Sequence, residues 1–217
     1  MAIYRAFPRS FYKPSARLVA GRLLGHWLVR NLPDGPCGGT IVETEAYLAD
    51  DPACHAFPGL TPRNRVMFGE PGHGYVYFIY GCHFCVNAVC RPAGIGEAVL
   101  IRAIEPVFGE HLLRKHRIAA DPRHLSNGPG KLCQAMNIDR RLDGVDLCNP
   151  DSALFIAQNP RAADFMKARA PVMISSRIGL SEAISEPLRF FLGGSSFISR
   201  PPSVKHRAKS KKLEKVR

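Results

Sequence analysis

The sequence predicts an α+β fold: one mixed domain with a mainly antiparallel, curved β-sheet, hairpins and short flanking helices. Two observations carry this prediction. Segments rich in β-branched and aromatic residues outnumber the amphipathic helical stretches. Those segments also arrive in pairs joined by tight-turn residues, as antiparallel hairpins do. At 217 residues and 46% hydrophobic, the chain is long enough to bury a sizeable core as a single domain.

Ser15 to Leu24 places Leu18, Val19, Leu23 and Leu24 on an apolar face with Arg17 and Arg22 outward. This predicts a short helix with Ser15 as N-cap and Gly25 as stop. Trp27 to Val29 begins a strand, Pro33-Asp34-Gly35-Pro36 turns the chain, and a second strand returns through Ile41 to Tyr47. Leu48 to Pro62 is a polar loop carrying His55, and Thr61 to Phe68 enters a short helix. Tyr75 to Tyr80 is a strand, Gly81 permits a tight turn, and Phe84 to Val89 comes back. Glu97 to Ile104 is an apolar strand interrupted by Arg102, and His111 to Arg117 is helical. Gly128-Pro129-Gly130-Lys131 leads into a helix at Leu132 to Met136. Residues 139–170 carry little pattern, and strands return at Val172 to Ile174 and Leu188 to Leu192.

The strand at 41–47 stands out. Side chains alternate faces along a strand, so Ile41, Glu43, Glu45 and Tyr47 share one face and Val42, Thr44 and Ala46 the other. Two carboxylates in so apolar a segment are costly unless paired or hydrogen-bonded. Arg102 poses the converse problem, an arginine inside an apolar strand, and Glu43, Glu45 or a bound phosphate are its natural partners.

The formal net charge is +12, of which residues 200–217 supply +7 through eight Lys and Arg against Glu214 alone. A basic body with a basic tail suits a polyanion, most simply nucleic acid. The tail after Pro201 has a disordered composition. No run of eighteen apolar residues suggests a membrane span, and Met1 to Lys13 lacks the apolar core of a secretory signal. Seven cysteines without a framework spacing predict reduced thiols in the cytoplasm, or in the nucleus of a eukaryote. Cys82-His83-Phe84-Cys85 matches C-x-x-C but has no clear second pair for zinc and sits at a hairpin end rather than a helix start, so buried structural thiols are favoured. Gly-Pro-Gly before Lys131 is too short for a P-loop; Lys131 fits a backbone phosphate contact or, equally, a plain solvated lysine. Arg63, Asn64 and Arg65 on a loop suit phosphate or ribose contacts. Four of the six tyrosines lie between positions 47 and 80, either as one core layer or as a ring-stacking surface.

Taken together, IVETEAY at 41–47, TPRNRVMF at 61–68, GYVYFIYG at 74–81, Phe84-Cys85-x-Asn87, VLIRAIEP at 99–106 and GPGKLCQA at 128–135 resemble the alkyladenine (methylpurine) DNA glycosylase family, in order and spacing, across most of residues 16–199. The resemblance implies a monofunctional enzyme of base excision repair that acts, as a monomer without metal or cofactor, on double-stranded DNA containing alkylated or deaminated purines. It implies that Glu45 is the general base activating water and that Arg102 helps hold that water and the local phosphate. Tyr47 and His55 would sandwich the flipped base, Tyr77 would contact it from the side, and Asn87 would meet the purine edge. Tyr80 would be the wedge filling the gap in the duplex, and Glu43 would orient the arginine. Arg63, Asn64, Arg65 and Lys131 would contact the DNA backbone.

General chemistry supports such roles. A base inside a duplex must be extruded before it can be reached, at a cost of roughly a few kcal/mol, least for a damaged base. An inserted wedge and aromatic stacking offset part of that cost. Two other classes compete on the same residues: a metal-dependent nuclease using Glu43 and Glu45, and a binding module whose aromatics stack single-stranded bases.

Overall fold

The computed structural model describes residues 4–180 and 185–200. The expected basic tail, 201–217, lies outside the described residues. Eight strands form one sheet: β1 (Trp27–Leu32), β2 (Gly35–Tyr47), β3 (Gly74–Ile79), β4 (His83–Cys90), β5 (Glu97–Phe108), β6 (Leu154–Ala157), β7 (Val172–Ser175) and β8 (Arg189–Leu192). Every pairing is antiparallel. The main path runs β3-β4-β5-β2-β1-β6, with β8 joined to β2 and β7 to β8. Four short helices flank it: α1 (Ala16–Leu23), α2 (Glu110–His116), α3 (Pro129–Ala135) and α4 (Ala162–Ala168). The α+β prediction is met, and the weakly patterned stretch 139–170 supplies β6 and α4. No helix among the described residues is long and apolar enough to cross a membrane.

The spine is β2, the longest strand at 13 residues. Its first half pairs with β1 through the Pro33-Asp34 turn, and its second half pairs with β8 from Glu43 to Glu45. On its other edge it pairs with β5 from Gly38 to Tyr47. The register against β5 shifts between Gly38 and Gly39 and twice between Ile41 and Thr44. Such bulges bend and twist a strand, and these lie beside Glu43. Glu43 and Glu45 are both fully buried, so the carboxylate-bearing face is interior.

The helix α1 packs Ala16, Val19, Ala20 and Leu23 inward, a stripe at i, i+3, i+4 and i+7. Leu18, expected on that stripe, is 55% exposed, because it falls outside the narrow sector that the small alanines let approach the sheet. Ser15 occupies the N-cap position but makes no side-chain capping bond. The buried Glu97 carboxylate accepts from the Ala16 N–H at 2.8 Å instead. At the inner end, Thr44 Oγ1 donates to the Ala20 carbonyl at 3.0 Å and pins α1 to the spine.

The approach of β2 to β5 leaves no room at Gly39, where an added Cβ would lie 2.2 Å from the Glu105 carbonyl oxygen. Gly39→Ala should therefore push the two central strands apart and destabilise the protein by about 1–3 kcal/mol, the usual range for overpacking. Urea denaturation of the two proteins checks this, and an unchanged midpoint would mean that the strands part at no cost.

Candidate active site

Glu43, Glu45 and Arg102 form one buried cluster, as the charge argument requires. Arg102 Nε donates to Glu43 Oε1 at 3.1 Å and Nη1 donates to Glu45 Oε2 at 3.0 Å. Burial alone would disfavour the Arg102 charge, but Glu45 and Glu43 outweigh it and hold the guanidinium above its ordinary pKa. Glu43 is the more fully occupied of the two acids. It accepts from Arg189 Nε at 2.7 Å, from the Ser199 N–H at 2.6 Å and from Ser199 Oγ at 2.8 Å as well as from Arg102. Glu45 Oε2 also accepts from the Tyr47 hydroxyl at 3.1 Å, while Oε1 accepts from the Ile178 N–H at 2.8 Å. Among the described residues that N–H is the one partner of Oε1, and a carboxylate oxygen can accept a second bond.

Glu45 itself has no exposed surface, but the residues around it border a cavity of about 290 Å³. Tyr47, Arg102 and Ile178, the three residues that bond Glu45, line it together with His55, Tyr77 and Asn87. Its size sits at the lower bound of the roughly 300–1,000 Å³ usual for small-molecule pockets. It suits one flat ring system better than a whole nucleotide. The His55 and Tyr77 rings meet edge to face with centroids 4.5 Å apart, and Tyr77 stacks on Tyr75 at 5.3 Å. His55 Nδ1 and the Tyr75 hydroxyl share a hydrogen bond at 3.0 Å. Burial pushes the Tyr75 phenol up to about 12 and raises those of Tyr47 and Tyr77 as well, so all three remain donors at neutral pH. Burial, and secondarily the Arg63 charge, lowers the His55 pKa and keeps its ring neutral. Asn87 is 4% exposed, and its Nδ2 donates to the Tyr75 carbonyl across the β3–β4 hairpin at 3.1 Å.

Tyr80 stands at the tip of that hairpin and is 76% exposed. Ile79 pairs with His83, leaving a three-residue connection in which Tyr80 and Gly81 both adopt left-handed backbone at φ 54° and 68°. The Cys82 N–H closes the turn onto the Ile79 carbonyl at 3.3 Å. Two successive positive φ values match the twist of a hairpin. A tyrosine there costs about 1–2 kcal/mol more than a glycine would. Phe78 and Phe84 pack across the strands behind the tip at 4.9 Å.

The four residues expected on the DNA backbone divide. Arg63 and Arg65 are exposed and, with Arg140, line a second concavity beside Tyr77. The Arg63 guanidinium lies 5.7 Å from the Tyr77 ring centroid. Lys131 is half-buried on α3, whose Pro129 and Gly130 line the main cavity, and its Nζ donates to Asn127 at 2.9 Å. Asn64 is a correction. It is 2% exposed, its Nδ2 donates to the His55 and Gly59 carbonyls at 2.7 and 2.9 Å, and its Oδ1 accepts from the Thr61 N–H at 2.7 Å. These bonds close the loop that presents His55 and commit the amide internally. Of the two thiols expected to be buried, Cys85 is, but Cys82, on the hairpin tip, is exposed. No cluster of three or more His, Cys, Asp or Glu side chains with metal-ligand geometry occurs among the described residues.

Sequence reasoning misses Arg177, Ile178, Arg189 and Ser199. Arg189 was legible, because it interrupts the apolar run Leu188 to Leu192 as Arg102 interrupts β5. Ile178 acts through its backbone N–H, which leaves no mark in a sequence, and Ser199 through its N–H and hydroxyl, which no local pattern singles out. Arg177 pairs with Asp51, which reads in the sequence as loop acidity.

The family model described as Methylpurine-DNA glycosylase (MPG) matches residues 10–196. Proteins from Nitrosospira multiformis, Agrobacterium fabrum and Methanoculleus marisnigri, each bearing the name "Putative 3-methyladenine DNA glycosylase", are 46, 47 and 45% identical to this chain. Each alignment covers 89% of this chain and, respectively, 94, 92 and 98% of the relative.

Two measurements probe the cluster and its surroundings. Glu43→Gln leaves Arg102 and Arg189 without their shared anion, and breaking a buried pair in this way costs roughly 3–5 kcal/mol. Its melting temperature should fall well below that of wild type, and an unchanged value would show that the two arginines find other partners. For His55, whose folded pKa is lowered below the unfolded 6.5, the unfolded chain binds the proton first. The stability held by the neutral ring is complete above that value and is lost as pH falls below it toward the folded pKa. Wild type should therefore lose stability more steeply than His55→Gln between neutral pH and pH values below 6.5, and parallel curves would mean that the ring titrates freely.

Proposed function

The chain belongs to the methylpurine-DNA glycosylase family, and from that premise we propose that it excises alkylated or deaminated purines from double-stranded DNA by hydrolysing the N-glycosylic bond. The observation that carries this reading is the position of Glu45. It is a fully buried carboxylate, bonded by three of the residues that line an aromatic cavity of base-like size.

In this mechanism the damaged nucleotide leaves the helix and its base enters the cavity. Tyr47 and His55 stack on it, Tyr77 bounds it from the side, and Asn87 meets its edge. Stacking returns on the order of 1–3 kcal/mol per base, comparable to the cost of extrusion. Tyr80, exposed at the hairpin tip, fills the vacated space in the duplex. A water on the open acceptor site of Glu45 Oε1 attacks C1′ as the glycosylic bond breaks. The bonding pair departs with the base, and the water proton passes to Glu45. Arg102 steadies the carboxylate and the adjacent phosphate. The transition state resembles an oxocarbenium ion, which a nearby carboxylate stabilises electrostatically. A cationic N-alkylated purine is neutralised by the electrons it receives and leaves without a proton donor, whereas a neutral deaminated purine leaves as an anion that takes up a proton from water.

Arg63, Arg65 and Lys131 supply phosphate contacts on the two sides of the cavity, and the basic residues after Pro201 add sequence-independent affinity. We place the protein in the cytoplasm as a monomer with one catalytic domain over residues 1–200.

Glu45→Gln keeps the shape of the side chain and removes its ability to accept a proton. Excision from methylated duplex DNA, with EDTA present, should fall about 10²–10⁴-fold, the usual contribution of a general base, with lesion binding near wild type. A loss below tenfold would move the base elsewhere, and base release that requires added metal would favour the nuclease class. Tyr80→Ala should melt near wild type, because the ring is exposed, yet excise more slowly. Tyr80→Phe should recover much of the rate. A large fall in melting temperature for the alanine variant would make Tyr80 a structural residue.

A further inference from the structure

Two charged side chains outside the cavity are buried beyond anything the reaction scheme asks of them. Arg177 is 4% exposed and Asp51 6%. The guanidinium grips the carboxylate with both amino nitrogens: Nη1 donates to Oδ2, and Nη2 donates to Oδ1 at 3.0 Å. Nη1 also donates to the Ala46 carbonyl at 3.0 Å. The centre of the guanidinium lies 4.6 Å from the Tyr47 ring centroid. Tyr47 lines the cavity and Arg177 does not, so the cation backs the ring from behind.

Both oxygens of Glu45 are tied to this backing. Oε1 accepts from Ile178, the residue that follows Arg177, and Oε2 accepts from the hydroxyl of the ring that Arg177 supports. Asp51 extends the connection to a third wall. Its Oδ1 accepts from the Ala53 N–H at 3.0 Å, which fixes the turn leading to His55. Tyr47 is the last residue of β2, so its ring is positioned by these side contacts rather than by strands continuing on both sides.

We propose that Arg177 and Asp51 are positioning residues for base excision: their ion pair locks the stacking ring, the carboxylate and the His55 loop into one unit and so aligns the bound base with the water on Glu45. This rests on the reading of Glu45 as base and Tyr47 as stacking ring. A buried ion pair contributes little net stability, because desolvation of the two charges offsets their attraction. What this one supplies is alignment, and reacting groups displaced by about 1 Å can lose on the order of 10²-fold in rate.

The test is the double variant D51N/R177Q, which removes both charges together and leaves neither buried alone. The amide that replaces the Asp51 carboxylate retains an oxygen for the Ala53 N–H. Single-turnover release of methylpurines from methylated duplex DNA is measured at saturating enzyme, with active enzyme titrated separately. A loss of folding lowers the active fraction, whereas a loss of alignment lowers the rate constant of the protein that remains active. The expected result is a rate constant reduced at least tenfold, approaching 10²-fold, with a melting temperature close to wild type and DNA affinity little changed. R177K, which keeps the charge but not the flat cation behind the ring, should fall between the two. A double variant whose rate constant stays within threefold of wild type overturns the inference, whatever its active fraction. Wild-type protein that frees no base overturns the glycosylase reading on which the inference rests, and that result is seen before any variant is compared.

Discussion

The structure depends on withdrawing two carboxylates from water in the middle of its longest strand. Glu43 and Glu45 are both fully buried, and each such ion costs several kcal/mol before its partners are counted. The surrounding architecture supplies those partners from every direction. One arginine comes from β5 on one edge of β2, another from β8 on the opposite edge, and backbone donors come from the segments around Ile178 and Ser199. Two anions thus meet two cations in a nearly neutral cluster. The bulges in β2 lie at the same place, where the strand must pair on both edges while presenting its acids to arginines on each. The fold and the site are one arrangement here, since the strands that enclose the acids are those that carry their counterions.

The walls of the cavity show a complementary economy of charge. Burial holds the phenols of Tyr47, Tyr75 and Tyr77 protonated and the His55 ring neutral. Charge is confined to the end where Arg102 meets Glu45. A flat ligand entering this space meets π-faces and neutral donors along its sides and a polarised pair at one end. That asymmetry favours one orientation of an aromatic ring over its reverse, before any hydrogen bond to its edge is considered.

Much of the scaffold could be read from the chain. The hairpin at Pro33-Asp34, the strand Tyr75 to Ile79 and the turn at Gly81 follow from residue types with narrow backbone preferences. The Arg102 cluster followed from a single rule, that a charge in an apolar strand needs an opposite charge nearby, and the same rule applied to Arg189 would have found the second arginine. The individual site roles came from family resemblance. Periodicity alone left the tyrosines as either core or stacking surface. What stayed hidden was non-local or backbone-borne. Asn64, set between two arginines, looks like a surface contact until the loop closes around it. Leu18 looks like core until the alanines beside it are seen to set the closeness of α1. Arg177 and Asp51 are separated by 126 residues, and neither marks the other.

The spread of partners around Glu43 also has a bearing on the order of biosynthesis. The acids leave the ribosome early, whereas Ser199 follows Glu43 by 156 residues and Arg189 by 146. A nascent chain that has completed β1 to β5 still lacks four of the seven donors that make burial of these acids tolerable. Contacts of such long sequence separation form late, after the entropy of closing the intervening chain has been met. The assembled cluster is therefore a property of the finished polypeptide, and a chain stalled or clipped before β8 has no means of completing it.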